Sequence, residues 1–232
     1  MTSSRGRAAV LGRVRQALGK PDTDSAALAE AQAYIDARAR GPIPAFDGDR
    51  VQRFINRAGD MESTVARIGR RDDIPAAVAS YLSALDLPPA LVSQKSLRGV
   101  CWPEFEDLDW SKAGLSVEAR PTVGDDRLGI TGVYCAIAET GTLVFVSGAE
   151  TPTATTLLPD THVAVVSARR IVDTMEDAFA LIRRECGHLP RAINLISGPS
   201  RTGDIEQTIV LGAHGPFRVH ILVMEETGAA ST

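Results

Sequence analysis

The chain has 232 residues, of which 44% are hydrophobic, and a net charge of −4 at neutral pH. That is enough chain for a sizeable core with an ordinary globular composition, and the slight acidity excludes a general nucleic-acid binder, which needs a basic face. No apolar run approaches the ~20 residues of a membrane span. The three cysteines, Cys101, Cys135 and Cys186, lie far apart without a Cys-x-x-Cys pair. Neither a disulfide framework nor a self-contained iron–sulfur cluster is therefore expected on this chain.

Val10, Leu11, Val14 and Leu18 recur at helical spacing and predict a first helix over 4–19, closed by Gly19 and Pro21. Its other face carries Arg5, Arg7, Arg13 and Arg15 with no following apolar core, so it is not a secretory signal, and a reducing cytoplasm is expected. A second, alanine-rich helix is expected over 24–40. It buries little by itself and suits packing on another subunit, so a homo-oligomer is open. Gly41 to Gly48 reads as a linker. These features predict a helical arm and linker over 1–48 and an α/β domain over 49–226.

In that domain, Asp49 to Ala58 reads as a helix with Val51, Phe54, Ile55 and Ala58 on one face, and Thr64 to Ile68 as a strand. Asp73-Ile74-Pro75 starts another helix, with Asp at the cap and proline in the first turn. Ala90 to Val92 and Leu115 to Ala119 read as strands. Leu143 to Val146 and Val163 to Val166 are short apolar runs of the kind covered on both faces. Asp173-Thr174-Met175-Glu176 resembles a capping box with Asp173 at the cap. The helix it opens turns Met175, Phe179, Ile182 and Cys186 inward and stops at Gly187. Ala192 to Ile196 and Val219 to Met224 complete the strands. Helices alternating with buried strands give an α/β fold with a mostly parallel sheet flanked by helices.

The most informative segment is Ser197-Gly198-Pro199-Ser200-Arg201-Thr202-Gly203-Asp204-Ile205-Glu206. It reads as one glycine-lined bend beyond the end of a central strand, where open α/β sheets hold ligands. Backbone N–H groups, the Ser200 and Thr202 hydroxyls and the Arg201 guanidinium there suit a small anionic ligand. The segment lacks the Walker and dinucleotide glycine spacings. It is also consistent with a plain turn in which Arg201 pairs with Asp204 or Glu206.

Glu139, before Thr140-Gly141-Thr142, is placed to act as an acid, base or nucleophile, or to accept turn amides and hold both threonines. His214, in Leu211-Gly212-Ala213-His214-Gly215-Pro216, is a turn histidine able to move a proton or donate to an anion, or a plain surface residue. The assignments are Glu139 and His214 as catalytic, and Thr140, Gly141, Thr142, Gly198, Ser200, Arg201, Thr202, Gly203, Asp204, Glu206 and Gly215 as ligand-binding. His162 and His188 read as structural and His220 as a satisfied core residue. The four histidines share no ligand spacing, so no metal is assigned. Trp102 and Trp110 read as a loop sealing the sheet, and Cys101 as a weak nucleophile.

Ala136-Ile137-Ala138-Glu139-Thr140-Gly141-Thr142, Leu157-Leu158-Pro159, the 197–206 segment and Leu211 to Pro216 together resemble the lactate utilization protein C family, or LUD-domain proteins, over roughly residues 50–225. The arm resembles the family's variable leader. Gly203 departs from the pattern, standing where alanine is common. The resemblance implies a fold related to sugar-phosphate isomerases, CoA-transferases and formyltetrahydrofolate cyclo-ligases. It further implies a place in a three-protein system oxidising L-lactate to pyruvate, with the iron–sulfur clusters on partner proteins. Its bound cofactor is left open. A stand-alone enzyme acting on a phosphorylated or CoA-linked substrate and a non-catalytic regulatory protein are the alternatives.

Overall fold

A computed structural model of the chain describes residues 3–19, 25–85, 98–205 and 208–225. The expected strand at Ala90 to Val92 lies outside them. The chain divides into two units, 1–46 and 47–232. In the first, α1 (Ser3–Leu18) and α2 (Ser25–Ala37) are helices whose apolar side chains Val10, Val14, Leu18, Leu28 and Ile35 are exposed.

In the second unit, α3 (Arg50–Asp60) starts at Asp49, whose carboxylate accepts the Val51 and Gln52 N–H groups. Capping by Asp satisfies donors that the helix start leaves unpaired. Phe54 and Ala58 are fully buried, and Val51 and Ile55 pack beside them. Next come β1 (Thr64–Ile68), α4 (Ile74–Ala84), β2 (Arg98–Cys101), β3 (Ser116–Ala119) and β4 (Leu128–Gly132). β5 (Cys135–Ile137), β6 (Thr142–Val146), α5 (Ala154–Leu157), β7 (Thr161–Ser167), β8 (Ile171–Val172) and α6 (Met175–Cys186) follow. The described chain closes with β9 (Ile193–Ile196), β10 (Arg201–Ile205), β11 (Thr208–Leu211) and β12 (Arg218–Met224).

Six strands form one sheet in the order β1-β12-β7-β4-β2-β3, every neighbouring pair parallel. Its two faces are both covered, as continuous apolar strands require. Along β7, Val163 and Val165 face α4 with Ile74, Val78 and Leu82, while Ala164 and Val166 face α3 and the second sheet. The α/β, mostly parallel character read from the sequence is therefore the fold found.

A second sheet, in the order β8-β5-β6-β9, was not foreseen. β6 runs antiparallel to both β5 and β9, so the 192–196 strand is an edge strand here and not a central one. α6 covers its outer face with Ala178, Leu181 and Ile182. The box that starts α6 lies one residue later than expected. Thr174 caps it, reciprocally with Asp177, because that register buries Ala178 and leaves Met175 exposed.

Candidate functional site

The 197–206 segment is not one bend. Residues 197–200 turn, and Arg201–Ile205 continues as β10, antiparallel to β11. The run Thr208–Leu211 supplies the partner strand, and long-range pairing overrides the turn-like composition. Gly203 and Asp204 thus lie within β10, and Glu206 lies outside the described residues.

Two clusters form on either side of Ser200 and Arg201. The first gathers at the end of α3. Gly141 (φ +67) approaches so closely that a Cβ there would lie 2.4 Å from the Ala58 nitrogen. Gly198 (φ +83) approaches the Met61 carbonyl, which a Cβ would meet at 2.0 Å. Only glycine combines these backbone angles with these contacts. The Arg57 Nε donates to the Glu139 carbonyl at 3.1 Å, and the Glu139 N–H donates to the Asp173 carbonyl at 3.1 Å. The Thr140 and Thr142 hydroxyls lie 2.7 Å apart, and Thr142 lies 2.7 Å from the Ser197 hydroxyl. Buried Thr142 thereby links two half-exposed turns into one hydroxyl chain.

Arg201 joins this cluster through an ion pair with Glu62 at 2.9 Å and a 3.3 Å hydrogen bond to the Met61 carbonyl. Arg57 pairs with Asp60 at 3.1 Å. Thr202, next along β10, is buried.

The second cluster is built round Ser200. Its N–H donates to the Pro216 carbonyl and its carbonyl accepts the Gly212 N–H, both at 2.9 Å. Its hydroxyl accepts the His214 N–H at 3.2 Å. The turn so fixed walls a cleft of about 400 Å³ with Leu157, Leu158, Asp160, Leu211, His214, Gly215 and Phe217.

Both clusters sit at the amino-terminal edge of the parallel sheet. Residues 61–63 lead into β1, 212–217 into β12 and 157–160 into β7. This is opposite to the expected placement, which read β9 as a strand of the parallel sheet. Open α/β sheets hold ligands beyond the carboxyl ends, and that edge carries other groups. There Arg71 pairs with Asp107 at 2.5 Å beside a cleft of about 460 Å³. Burial pushes the Glu104 carboxyl up while the Gly132 amide and Arg71 hold it down.

The LUD domain profile matches residues 51–224. The chain belongs to the LUD-domain family. It is 33% identical to lactate utilization protein C of Bacillus licheniformis over 129 residues, 50% of this chain and 54% of that protein. It is 32% identical to the protein of the same name from Bacillus subtilis over 136 residues, 57% of each. The aligned stretch thus spans about half the length of these curated relatives. A DUF162 family protein from Deinococcus radiodurans superposes with a TM-score of 0.54 at 23% identity, over 78% of this chain and 99% of that one. That likeness concerns the fold.

In this LUD domain the buried histidines serve the sheet. His162 Nε2 lies 2.8 Å from the Thr131 hydroxyl, and His220 Nδ1 lies 2.8 Å from that of Thr64. His220 also stacks on Tyr81 at 3.9 Å. Neither is fully satisfied, since His162 Nδ1 and His220 Nε2 have no hydrogen-bond partner. Burial pushes His162 down to about 3 and His220 down to about 4, so both are neutral at pH 7. His188 follows α6.

Cys101 is buried and its thiol is pushed up to about 11 by burial, which removes it as a nucleophile. Trp102 and Trp110 are buried too, donating to the Pro152 and Phe105 carbonyls. No set of three His, Cys, Asp or Glu side chains converges as a metal site among the described residues. No described helix is long and apolar enough to cross a membrane.

Sequence reasoning missed Arg57, Met61 and Glu62 and gave Ser197 no role. These residues belong to a helix end and a strand end, which only the fold brings beside the 139–142 turn.

Proposed function

We propose that this chain is the cluster-free subunit of a cytoplasmic system that oxidises L-lactate to pyruvate, and that its amino-edge clusters bind an anionic ligand. Iron–sulfur partner proteins carry the electrons in this reading. The observation that carries it is the LUD domain over residues 51–224, shared with relatives named lactate utilization protein C.

The geometry supports the ligand assignment in a specific way. Gly141 and Gly198 both press on the end of α3, Thr142 bonds Ser197, and Arg201 bonds the Met61 carbonyl at that same end, with Glu139 at the start of the 139–142 turn. Arg201 clamps the anion, the Thr140, Thr142 and Ser197 hydroxyls donate to it, and Glu139 exchanges a proton. His214 and Gly215 line the adjoining cleft, where Ser200 fixes the turn. Thr202, Gly203 and Asp204 follow Arg201 along β10. Charge-assisted contacts of this kind are the stronger class of hydrogen bond.

Deleting the gene should abolish growth on L-lactate and spare growth on pyruvate, with Arg201→Gln failing to complement. Unimpaired lactate growth removes the pathway assignment. One observation favours a second reading, a stand-alone enzyme acting on a larger phosphorylated or CoA-linked substrate. The cleft beside His214 holds about 400 Å³, more room than a three-carbon acid fills, and Leu157, Leu158, Leu211 and Phe217 line it together with Asp160 and His214. Turnover of such a substrate by the purified chain, lost in Glu139→Gln, selects that reading.

A further inference from the structure

Glu62 belongs to none of the motifs that mark this edge of the molecule, yet its backbone is unusual. It has φ +64, and Arg38 is the other described non-glycine residue with positive φ. Left-handed backbone disfavours residues with a Cβ, and glutamate lacks the short side chain that lets Asn and Asp adopt it. Here it closes α3: Glu62 follows the helix cap, and the Ser63 N–H donates to the Ala58 carbonyl at 3.0 Å, one of the paired bonds of a left-handed helix ending.

The surroundings here are explicit. The Glu62 N–H donates to the Gly59 carbonyl at 2.8 Å, and the Met61 N–H donates to the Arg57 carbonyl at 3.2 Å. The Met61 carbonyl is pinned between Gly198 and the Arg201 guanidinium. The turn therefore delivers Glu62 Oε2 to 2.9 Å from Arg201 Nη2.

That ion pair is a poor structural device. The two side chains are 37% and 62% exposed, and exposed pairs contribute little to stability. What it does do is fill the place an anion needs. Asp60 acts alike on Arg57. Both guanidiniums at the end of α3 are thus answered by acids from one turn.

We infer that Glu62 is a built-in competitor, an internal carboxylate seated on Arg201 that an incoming carboxylate or phosphate must displace. This rests on Arg201 being the anion-binding group. A monocarboxylate exchanges like for like at that seat, whereas a phosphate brings greater charge and more acceptor oxygens. Glu62 therefore weakens every anion at that seat, and its removal should strengthen phosphate at least as much as a monocarboxylate.

The test is calorimetric titration of the full chain with L-lactate and, separately, with inorganic phosphate, in the wild type, Glu62→Gln, Glu62→Gly and Arg201→Gln. Removing Glu62 should tighten L-lactate about two- to fivefold and phosphate at least as much, the range expected when a weak exposed pair no longer competes. Glu62→Gly should melt no lower than wild type, since glycine adopts φ +64 without penalty. Affinities within twofold of wild type, or weaker, in both Glu62 variants overturn the competitor role, as does binding by none of the proteins. If Arg201→Gln loses binding while the Glu62 variants match wild type, the competitor alone fails. If Arg201→Gln binds as wild type does, the anion assignment falls with it.

Discussion

The two clusters flanking Ser200 and Arg201 are built in opposite ways. At the end of α3 everything is already engaged: hydroxyl with hydroxyl, guanidinium with carboxylate, glycine against backbone. In the 212–217 turn Ser200 engages the Gly212 and His214 N–H groups and the Pro216 carbonyl, and what remains is open space walled by apolar side chains together with Asp160 and His214. A ligand enters the first only by displacing groups and fills the second without displacing any. Affinity at the first is a difference between two polar networks, and at the second it combines buried apolar area with contacts to Asp160 and His214.

Close backbone approach is what separates the clusters most sharply, so glycine substitution should show the largest effect. Gly198→Ala places a methyl on the Met61 carbonyl and forces alanine to φ +83. The expected cost is about 3 kcal/mol, or a melting temperature lower by about 6–12 °C for a domain of this size. Gly59→Ala, in the last turn of α3, meets nothing within 4 Å and should instead stabilise by roughly 0.5–1 kcal/mol. Equal effects in thermal melts would mean that Gly198 is not pressed against α3.

The next largest effect is on pH dependence, and it should strike both clusters together. Residues 61–63 and 212–217 lead into β1 and β12, and His220 on β12 lies beside Thr64 of β1. Its pKa falls from about 6.5 unfolded to about 4 folded. Between those values the unfolded chain binds more protons, so stability is present above pH 6.5 and lost as pH falls toward 4. The loss attributable to this group is about 3 kcal/mol. His162, pushed down to about 3, adds a loss of the same sign. His220→Phe keeps a ring on Tyr81 and should shrink the acid-side loss in denaturant titrations at pH 7 and pH 4.5. An unchanged loss would mean that His220 is not neutral in the fold.

The fold class was legible because β7 and β12 are continuous apolar runs, which only a sheet covered on both faces accommodates. The second sheet was not, since β6 and β9 carry no mark of whether their partners run parallel or antiparallel. The site residues were legible as turns but not as neighbours. Thr142 and Ser197 meet because β6 pairs with β9, a register no local pattern encodes. β10 was hidden for a related reason. Its composition is that of a loop, and its strand character comes from β11. Glu62 gave no signal at all, because glutamate in an extended or helical setting looks the same in sequence as glutamate at positive φ.

Thr142→Val tests the engaged character of the first cluster at smaller scale. Valine keeps the shape but removes a buried oxygen that bonds both Thr140 and Ser197. The expected loss is roughly 1–2 kcal/mol, the ordinary range for buried hydrogen bonds whose partners are left to find others. Thr140→Val, at the half-buried end of the chain, should cost less. A double-mutant cycle over the two positions should show coupling, and strict additivity would mean that the hydroxyls act independently.

The smallest effect on stability is expected at Phe217, and it decides what the second cluster is for. Its ring is 44% exposed and carries the Arg218 guanidinium 4.9 Å from its centroid. Losing that contact costs about 0.5–1 kcal/mol at an exposed site, so Phe217→Ala should fold normally. The same change removes the phenyl wall of the cleft. If the cleft receives the apolar body of a ligand whose anionic end reaches Arg201, Phe217→Ala weakens that ligand while leaving inorganic phosphate binding untouched. Phosphate has no apolar body and contacts the first cluster alone. If phosphate weakens equally, the two clusters are one site energetically. In that case the division drawn at Ser200 describes the backbone and not the recognition.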